Sequence, residues 1–405
     1  MKVLHTSDWH LGRALYGRRR YAEFEQFLNW LHEYIKENDI DVLIVAGDIF
    51  DTGSPSNRAQ DLYYEFLAGL KKTACRHIII VAGNHDSPTF LNAPKSVLRF
   101  LNVSVIGAVG DSLHEQIIDV KNENDETQMI VCAVPYLRDR DLRQAEAGES
   151  YQDKESKIVE GIKNHYRHVC QLATEKQKEN GRKVPVVATG HLFTSGGKTL
   201  EADGVRDLYV GSLGQVGSDT FPNTIDYLAL GHLHVPQKVG GDEFRRYCGS
   251  PLPMSFGEAK QQKIVLEIEF NEDQKRVREV NIPSFQKLRQ LRGDWQYISD
   301  EIALLKNSGA QVWLEVIYQG KEIIPQLSHQ LREMINGSKL EILRIQNKRL
   351  FEKAMKRMHS DESLDQLSES DVFKRCLSEH EIPDEHHEEL HFAFQEIISE
   401  LKSEP

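Results

Sequence analysis

The chain has no run of ~18 consecutive apolar residues, the length a bilayer-spanning helix needs. It also lacks the basic, apolar and small-residue regions of a secretion signal, since Met1-Lys2 leads directly into a strand-like run. A cytoplasmic location without membrane partners is therefore expected. Cysteine is scarce and scattered: Cys75, Cys132, Cys170, Cys248 and Cys376 are odd in number, and no two form a CxxC pair. A cysteine-held zinc site and a redox pair are excluded on spacing, and the thiols are expected to be reduced and structural. Nor is there an excess of positive charge. The formal net charge of -12 argues against binding to polyanions by charge alone. It does not exclude chemistry on them, because clustered metal ligands are themselves acidic and bound cations cancel them. The full Gly-x-x-x-x-Gly-Lys-Ser/Thr phosphate loop is not present, so any dependence on ATP must come from a partner.

With 405 residues and 40% hydrophobic content, the chain is long enough for one large domain and one or two small ones. From Met1 to about residue 275, short β-branched runs alternate with helical periodicity, the signature of an α/β layered fold. Helices are expected over Tyr21 to Glu37, Asn57 to Lys72 and Asp153 to Glu179. Leu113 to Val134 and Val235 to Phe270 read as antiparallel hairpins, with turn signals at Asn122 to Asp125, Gly240-Gly241-Asp242 and Asn271 to Asp273. A compact strand, helix, strand, helix, strand series over about 283–346 predicts a small α/β cap with no ligand cluster of its own. Residues 349–405 are highly charged but keep apolar stripes at helical spacing: Leu364, Leu367, Phe373 and Leu377, then Leu390, Phe394, Ile397, Ile398 and Leu401. This segment is expected to form helices that offer their stripes to another protein.

Five short clusters carry the chemistry: Asp8-Trp9-His10, Gly47-Asp48-Ile49-Phe50-Asp51, Gly83-Asn84-His85-Asp86, Gly190-His191 and Gly231-His232-Leu233-His234. Each follows an apolar run (Lys2 to His5, Val42 to Val45, Ile78 to Val81, Val184 to Ala188 and Tyr227 to Leu230), so ligands from several strand ends are delivered into one crevice. A lone DxH or GNH is a chance turn. The ordered set of five points to two divalent cations, which at roughly 3.5–4 Å apart activate a water and neutralise phosphate oxygens when one ligand bridges them.

Asp48 is the expected bridge, because Gly47 lets the backbone turn sharply beside the metals. Asp8, His10 and His234 are expected around one ion, and Asn84, His191 and His232 around the other. Mixed imidazole, carboxylate and amide ligands suit manganese, iron or zinc better than calcium; manganese, two ions per chain, is the expectation, with magnesium or another divalent ion as alternatives. His85, beside Asn84, is the candidate proton donor to a departing alkoxide. Asp51 is expected to assist it as a second catalytic residue, and Asp86 to anchor the loop. Basic clusters at Arg13, Arg18-Arg19-Arg20 and Arg138 to Arg143 read either as solvated charge or, for the first, as phosphate contacts flanking the metals.

The ordered set resembles the calcineurin-like metallophosphoesterases. Supporting segments are Leu4-His5-Thr6-Ser7-Asp8-Trp9-His10-Leu11-Gly12, Ala46-Gly47-Asp48-Ile49-Phe50-Asp51, Gly83-Asn84-His85-Asp86-Ser87-Pro88 and Tyr247-Cys248-Gly249-Ser250-Pro251; the Trp9-His10-Leu11-Gly12 opening, the length and the cap-like region narrow the resemblance to the double-strand-break repair nuclease branch. The resemblance implies a mixed β-sandwich flanked by helices. It also implies metal ligands at Asp8, His10, Asp48, Asn84, His191, His232 and His234, with His85 acting on the scissile phosphate. Further implications are manganese-dependent cleavage of DNA, exonucleolytic at duplex ends and endonucleolytic at hairpins, and a homodimer joined through its C-terminal helices to a coiled-coil ABC-type ATPase. For the dimer contact, Leu62, Phe66, Leu70 and the segment Phe90 to Phe100 are the places indicated. This chain has Asp51 where many archaeal members of the resembled family have histidine, so the assisting role of Asp51 is an expectation from its place three residues after Asp48. The competing enzyme class is a phosphatase or phosphodiesterase of nucleotides or phosphoproteins, which would leave the cap and helical tail without purpose. A binding scaffold that had lost catalysis would lack ligands, and none is missing.

Overall fold

The computed structural model describes residues 1–143, 149–194, 216–271, 274–322, 324–347 and 394. It divides into two compact units, Met1–Gln290 with Gln311–Leu314, and Leu291–Ala310 with the chain from Glu315 onward. The stripes expected after residue 348 lie outside the described residues, apart from Phe394.

Strands are numbered in chain order. In the first unit they are β1 (Lys2–Thr6), β2 (Ala14–Leu15), β3 (Arg18–Arg19), β4 (Val42–Ala46), β5 (His77–Val81), β6 (Val103–Ile106), β7 (Ile117–Lys121), β8 (Thr127–Cys132), β9 (Val186–His191), β10 (Tyr227–Gly231), β11 (Gln237–Lys238), β12 (Arg245–Tyr247), β13 (Ile264–Phe270) and β14 (Lys275–Asn281). They form two six-stranded mixed sheets, ordered β14-β13-β1-β4-β5-β6 and β11-β12-β10-β9-β8-β7, and a small β2-β3 hairpin. In the first sheet β1, β4, β5 and β6 run parallel, and β13 pairs antiparallel with β1 on one side and β14 on the other. In the second, β12, β10, β9 and β8 run parallel, closed by antiparallel β7 and β11.

The alternation of side chains along each strand explains the layering. Leu4, Leu43, Val45, Ile78 and Ile80 face the helices Tyr21–Glu37 and Asn57–Leu70 and pack on Phe24, Phe27, Leu31, Tyr63 and Leu67. Their neighbours Val3, Val42, Ile44 and Ile79 face the other sheet, meeting Met129, Val131, Val187, Tyr227 and Ala229. The far face of the second sheet is covered by the helix Tyr151–Glu179, whose Ile158, Ile162, Tyr166, Val169 and Ala173 meet Ile130, Val186, Ala188 and Leu228. Strands buried on both faces carry continuous apolar runs, which is why Val42–Ala46 reads VLIVA. The result is a helix, sheet, sheet, helix sandwich, the fold expected.

Most element predictions hold to within two residues, and Tyr21–Glu37 holds at both ends. Leu113–Gln116 is a 3₁₀ turn rather than the start of a hairpin arm. The segment Val235 to Phe270 is not one hairpin. β11 and β12 pair across Gly240-Gly241, whereas β13 crosses to the first sheet and pairs with β14 and β1. Further along the chain, β15 (Lys287–Gly293), β16 (Val312–Tyr318) and β17 (Leu340–Asn347) form a three-stranded sheet in that order, with helices Trp295–Asn307 and Leu327–Ile335. The Asp294 side chain caps the first of these helices, accepting from Tyr297 N at 2.9 Å.

Candidate metal centre

The parallel strands β1, β4, β5, β9 and β10 put all five clusters at C-terminal strand ends, where loops from both sheets meet. The loops after β1 and β4 run side by side: Asp8 N donates to Gly47 O at 3.0 Å, His10 N to Asp48 O at 3.0 Å and Leu11 N to Ile49 O at 2.9 Å. Within Asp8-Trp9-His10, side chains alternate. Trp9 is fully buried against Phe27 and Phe66 with its indole N–H on Thr6 Oγ1, which turns Asp8 and His10 the other way, into the site. Leu233 separates His232 from His234 in the same manner.

Four of the clustered residues, Asp8 (φ 53°), His10 (φ 48°), Asp48 (φ 50°) and His232 (φ 101°), lie in the left-handed region of backbone space. Non-glycine residues occupy it at a cost of order 1–3 kcal/mol each, and such strain gathers at functional sites. Gly83 is required by proximity: a Cβ there would collide with the carboxylate and backbone N of Asp48.

Two groups of side chains converge. Asp8, His10 and His234 offer ligand atoms within 4.8 Å of one another, with His10 Nε2 3.2 Å from His234 Nε2. On the other side, Asn84 Oδ1 stands 3.0 Å from His191 Nε2 and 3.0 Å from His232 Nδ1. Asp48 lies between them, its Oδ2 3.2 Å from His191 Nε2 and 3.6 Å from His10 Nε2. All seven residues expected as ligands are thus brought together.

The polar atoms of this cluster include lone pairs that face one another across the centre. His191 Nδ1 donates to Ala46 O at 2.9 Å, so the neutral ring carries a lone pair on Nε2, yet Nε2 faces two acceptors. A proton answers this in the metal-free chain. Burial disfavours that proton, but Asp48 and Asp8 overcome it and push His191 up to about 9. Burial would likewise raise Asp48, but His191, His10 and His85 hold it well below the usual carboxylate range. Asp8 goes the other way, raised by burial and by the Asp48 charge. His232 is lowered to about 3, by burial first and then by His191. A divalent cation placed among these atoms satisfies the same lone pairs without the proton, and an imidazole, carboxylate and amide set suits such an ion.

His85 sits at the half-buried mouth, its ring edge-on to His10 with centroids 4.8 Å apart. Its Nδ1 donates to Asp51 O at 2.8 Å, which fixes the tautomer and leaves Nε2 as the reactive nitrogen. Burial lowers its pKa, opposed by Asp48. The orienting contact from Asp51 is therefore its main-chain carbonyl. Its carboxylate faces His10 Nδ1 at 3.5 Å and Arg13 Nη1 at 3.2 Å.

Asp86 has the anchoring position: its carboxylate accepts from Gly83 N (2.8 Å), Phe50 N (3.0 Å) and Ile49 N (3.2 Å), tying the β4 and β5 loops together. Among the basic residues, Arg20 is buried and bidentate on Glu23, with a third bond to Pro253 O, so its place is structural. Arg18 and Arg19 are exposed on the hairpin that follows His10. Sequence reasoning missed Glu258 and Lys263, a buried ion pair behind His234. An acidic and a basic residue five apart carry no signal of burial, and only the return of β13 to the first sheet places them.

Residues 1–236 match the family described as calcineurin-like phosphoesterase, and residues 284–381 match the Type 5 capsule protein repressor C-terminal domain. The chain is 33% identical to SbcD, the nuclease component of SbcCD, from Escherichia coli strain K12 over 411 aligned residues, covering all of this chain and 99% of that one. It is 36% identical to the Rhodobacter capsulatus protein of the same name over 64% of each chain, and 33% identical to the Bacillus subtilis one over 65% of each. The sandwich, the converging ligands and these similarities together place the chain in the calcineurin-like phosphoesterases and, within them, in the SbcD family of SbcCD nucleases.

Proposed function

We propose that the chain is the nuclease component of an SbcCD-type complex and hydrolyses DNA phosphodiester bonds at a two-manganese site. The observation that carries this reading is the convergence of seven ligand atoms into two groups that share Asp48. Asp8, His10 and His234 would hold one ion and Asn84, His191 and His232 the other, with Asp48 bridging. When bound, the two ions supply an activated water and neutralise the phosphate oxygens.

The chain's own residues do the rest. Asp86 holds the β4 and β5 loops at fixed separation, and the main-chain carbonyl of Asp51 keeps the His85 ring oriented with Nε2 toward the mouth. As a water oxygen bonds to phosphorus and the bond to the sugar oxygen breaks, His85 Nε2 gives its proton to that departing oxygen. The negative phosphodiester beside the ring favours that protonated state. The Asp51 carboxylate, between His10 and Arg13, steadies a ligand and a rim cation rather than the acid itself. Arg13, Arg18 and Arg19 present positive charge to the DNA backbone next to the metals.

The activities proposed are 3′-to-5′ exonuclease on duplex ends and endonuclease on hairpins and single strands, in DNA repair, recombination and replication in the cytoplasm at the nucleoid. Residues 1–275 form the nuclease domain, 283–346 a cap, and 349–405, whose apolar residues recur at helical spacing in the sequence, dock on an SbcC-type ATPase, which supplies ATP dependence. Two copies pair within a heterotetramer. Phe100 and Val97, 83% and 65% exposed beside the half-buried Phe90, support a self-association surface there, whereas Phe66 and Leu70 are buried in the chain's own core.

The test is cleavage of end-labelled linear and hairpin DNA by the purified chain with manganese, beside a small chromogenic phosphodiester and an Asp48→Ala control. DNA cleavage lost in the control supports the reading. Turnover of the small ester alone, with no DNA cleavage even after the ATPase is added, would make the chain a phosphatase-class enzyme instead.

A further inference from the structure

Against His234 lies a buried charged pair that none of the roles above uses. Glu258 is fully buried and Lys263 is 5% exposed. An ion pair removed from water costs several kcal/mol per charge in desolvation, and it persists only where its geometry is closely satisfied. Here Lys263 Nζ contacts Glu258 Oε2 and also donates to Ser250 Oγ at 3.0 Å, Gln261 Oε1 at 2.7 Å and the main-chain carbonyl of His234 at 3.1 Å. Glu258 Oε2 in turn accepts from Met254 N at 3.2 Å. The free rotation of both side chains is thereby lost, and their fixed point is the backbone of His234.

The other carboxylate oxygen points at the same residue. Glu258 Oε1 stands 4.0 Å from His234 Nδ1, while Nε2 of that ring faces His10 Nε2 at 3.2 Å. One edge of the imidazole meets the centre and the opposite edge faces a buried carboxylate that lies beyond hydrogen-bond reach and acts on the ring through its charge, which favours the N–H on the nearer nitrogen. We infer that Glu258 and Lys263 are positioning residues for the metal centre: Lys263 pins the His234 backbone, and Glu258 favours the proton on Nδ1, leaving the Nε2 lone pair for the ion. The inference rests on the reading that His234 holds a metal.

The test uses the purified full-length chain and manganese alone. Wild type, Glu258→Met/Lys263→Met and Glu258→Gln/Lys263→Met are titrated with Mn²⁺, following free ion by electron paramagnetic resonance, and each is melted without metal. Exchanging both charges for apolar groups of similar volume leaves the fold standing. One of the two ions should then bind roughly 10–100-fold more weakly in the Met/Met variant, with the other little changed. The Gln variant restores an acceptor toward Nδ1 and should recover part of that affinity. A folded Met/Met variant that binds both ions like wild type overturns the inference, whereas wild type binding fewer than two ions overturns the metal reading itself.

A measurement on the unaltered chain does not depend on the variants folding. In the zinc-loaded protein with ¹⁵N-labelled histidine, the resonance absent from His234→Gln should report a proton on Nδ1. A proton on Nε2 refutes the assignment.

Discussion

Replacing Asp86 by alanine tests whether the loops that present Asp48 and Asn84 are held by one buried carboxylate. That carboxylate accepts three main-chain N–H groups, from Ile49, Phe50 and Gly83, and is 3% exposed. Alanine offers no acceptor, so three buried donors lose their partner at about 1–3 kcal/mol each. Against that, the wild-type chain bears the cost of a buried acid, which burial and the Asp48 charge push above the usual carboxylate range. Removing the acid relieves that cost, so the net loss should fall near the low end of the sum, about 3 kcal/mol. For a domain of this size, that corresponds to a drop in the thermal midpoint of roughly 6–12 °C. Asp86→Asn keeps an oxygen for two of the three N–H groups and should lose clearly less. Differential scanning fluorimetry of the metal-free chains gives the midpoints, and manganese titration shows whether the displaced loops weaken the ions. An Asp86→Ala chain with unchanged midpoint and unchanged manganese affinity would refute the reasoning.

His85→Ala should keep both manganese ions and DNA binding while cleavage falls on the order of 10²–10⁴-fold; loss of metal together with activity would sink the assignment of His85 as proton donor. Because His191 is pushed up to about 9 in the metal-free chain, it carries a proton below that pH which must leave when its Nε2 takes an ion. Manganese affinity should therefore rise between pH 7 and 8.5, with close to one proton released per chain; calorimetry in buffers of different ionisation enthalpy counts that proton, and no release would contradict it. Phe100→Asp places a charge on the exposed apolar position and should shift the chain toward monomer in sedimentation without changing its thermal midpoint. An unaltered dimer would move the self-association surface elsewhere.

What the sequence by itself determined is set by local physics. β-Branched and leucine runs buried on both faces specify the parallel strands, and an apolar stripe at helical spacing specifies Tyr21–Glu37. Ligand residues directly after those runs must lie at strand ends, and the parallel order collects them on one edge, so the seven convergent side chains were legible before any coordinates. Other features depend on contacts between residues remote in the chain, and only the tertiary structure decided them. The crossing of β13 from one sheet to the other has no local signal, because an antiparallel partner at either edge accepts the same alternation. Arg20 reads as one of a surface trio until Glu23 and the Pro253 carbonyl enclose it. Asp51 supports His85 through its main-chain oxygen, which any residue carries, so no side-chain pattern could reveal it. The pairing of Glu258 with Lys263 behind His234 likewise exists only because the fold removes both charges from water at the same point.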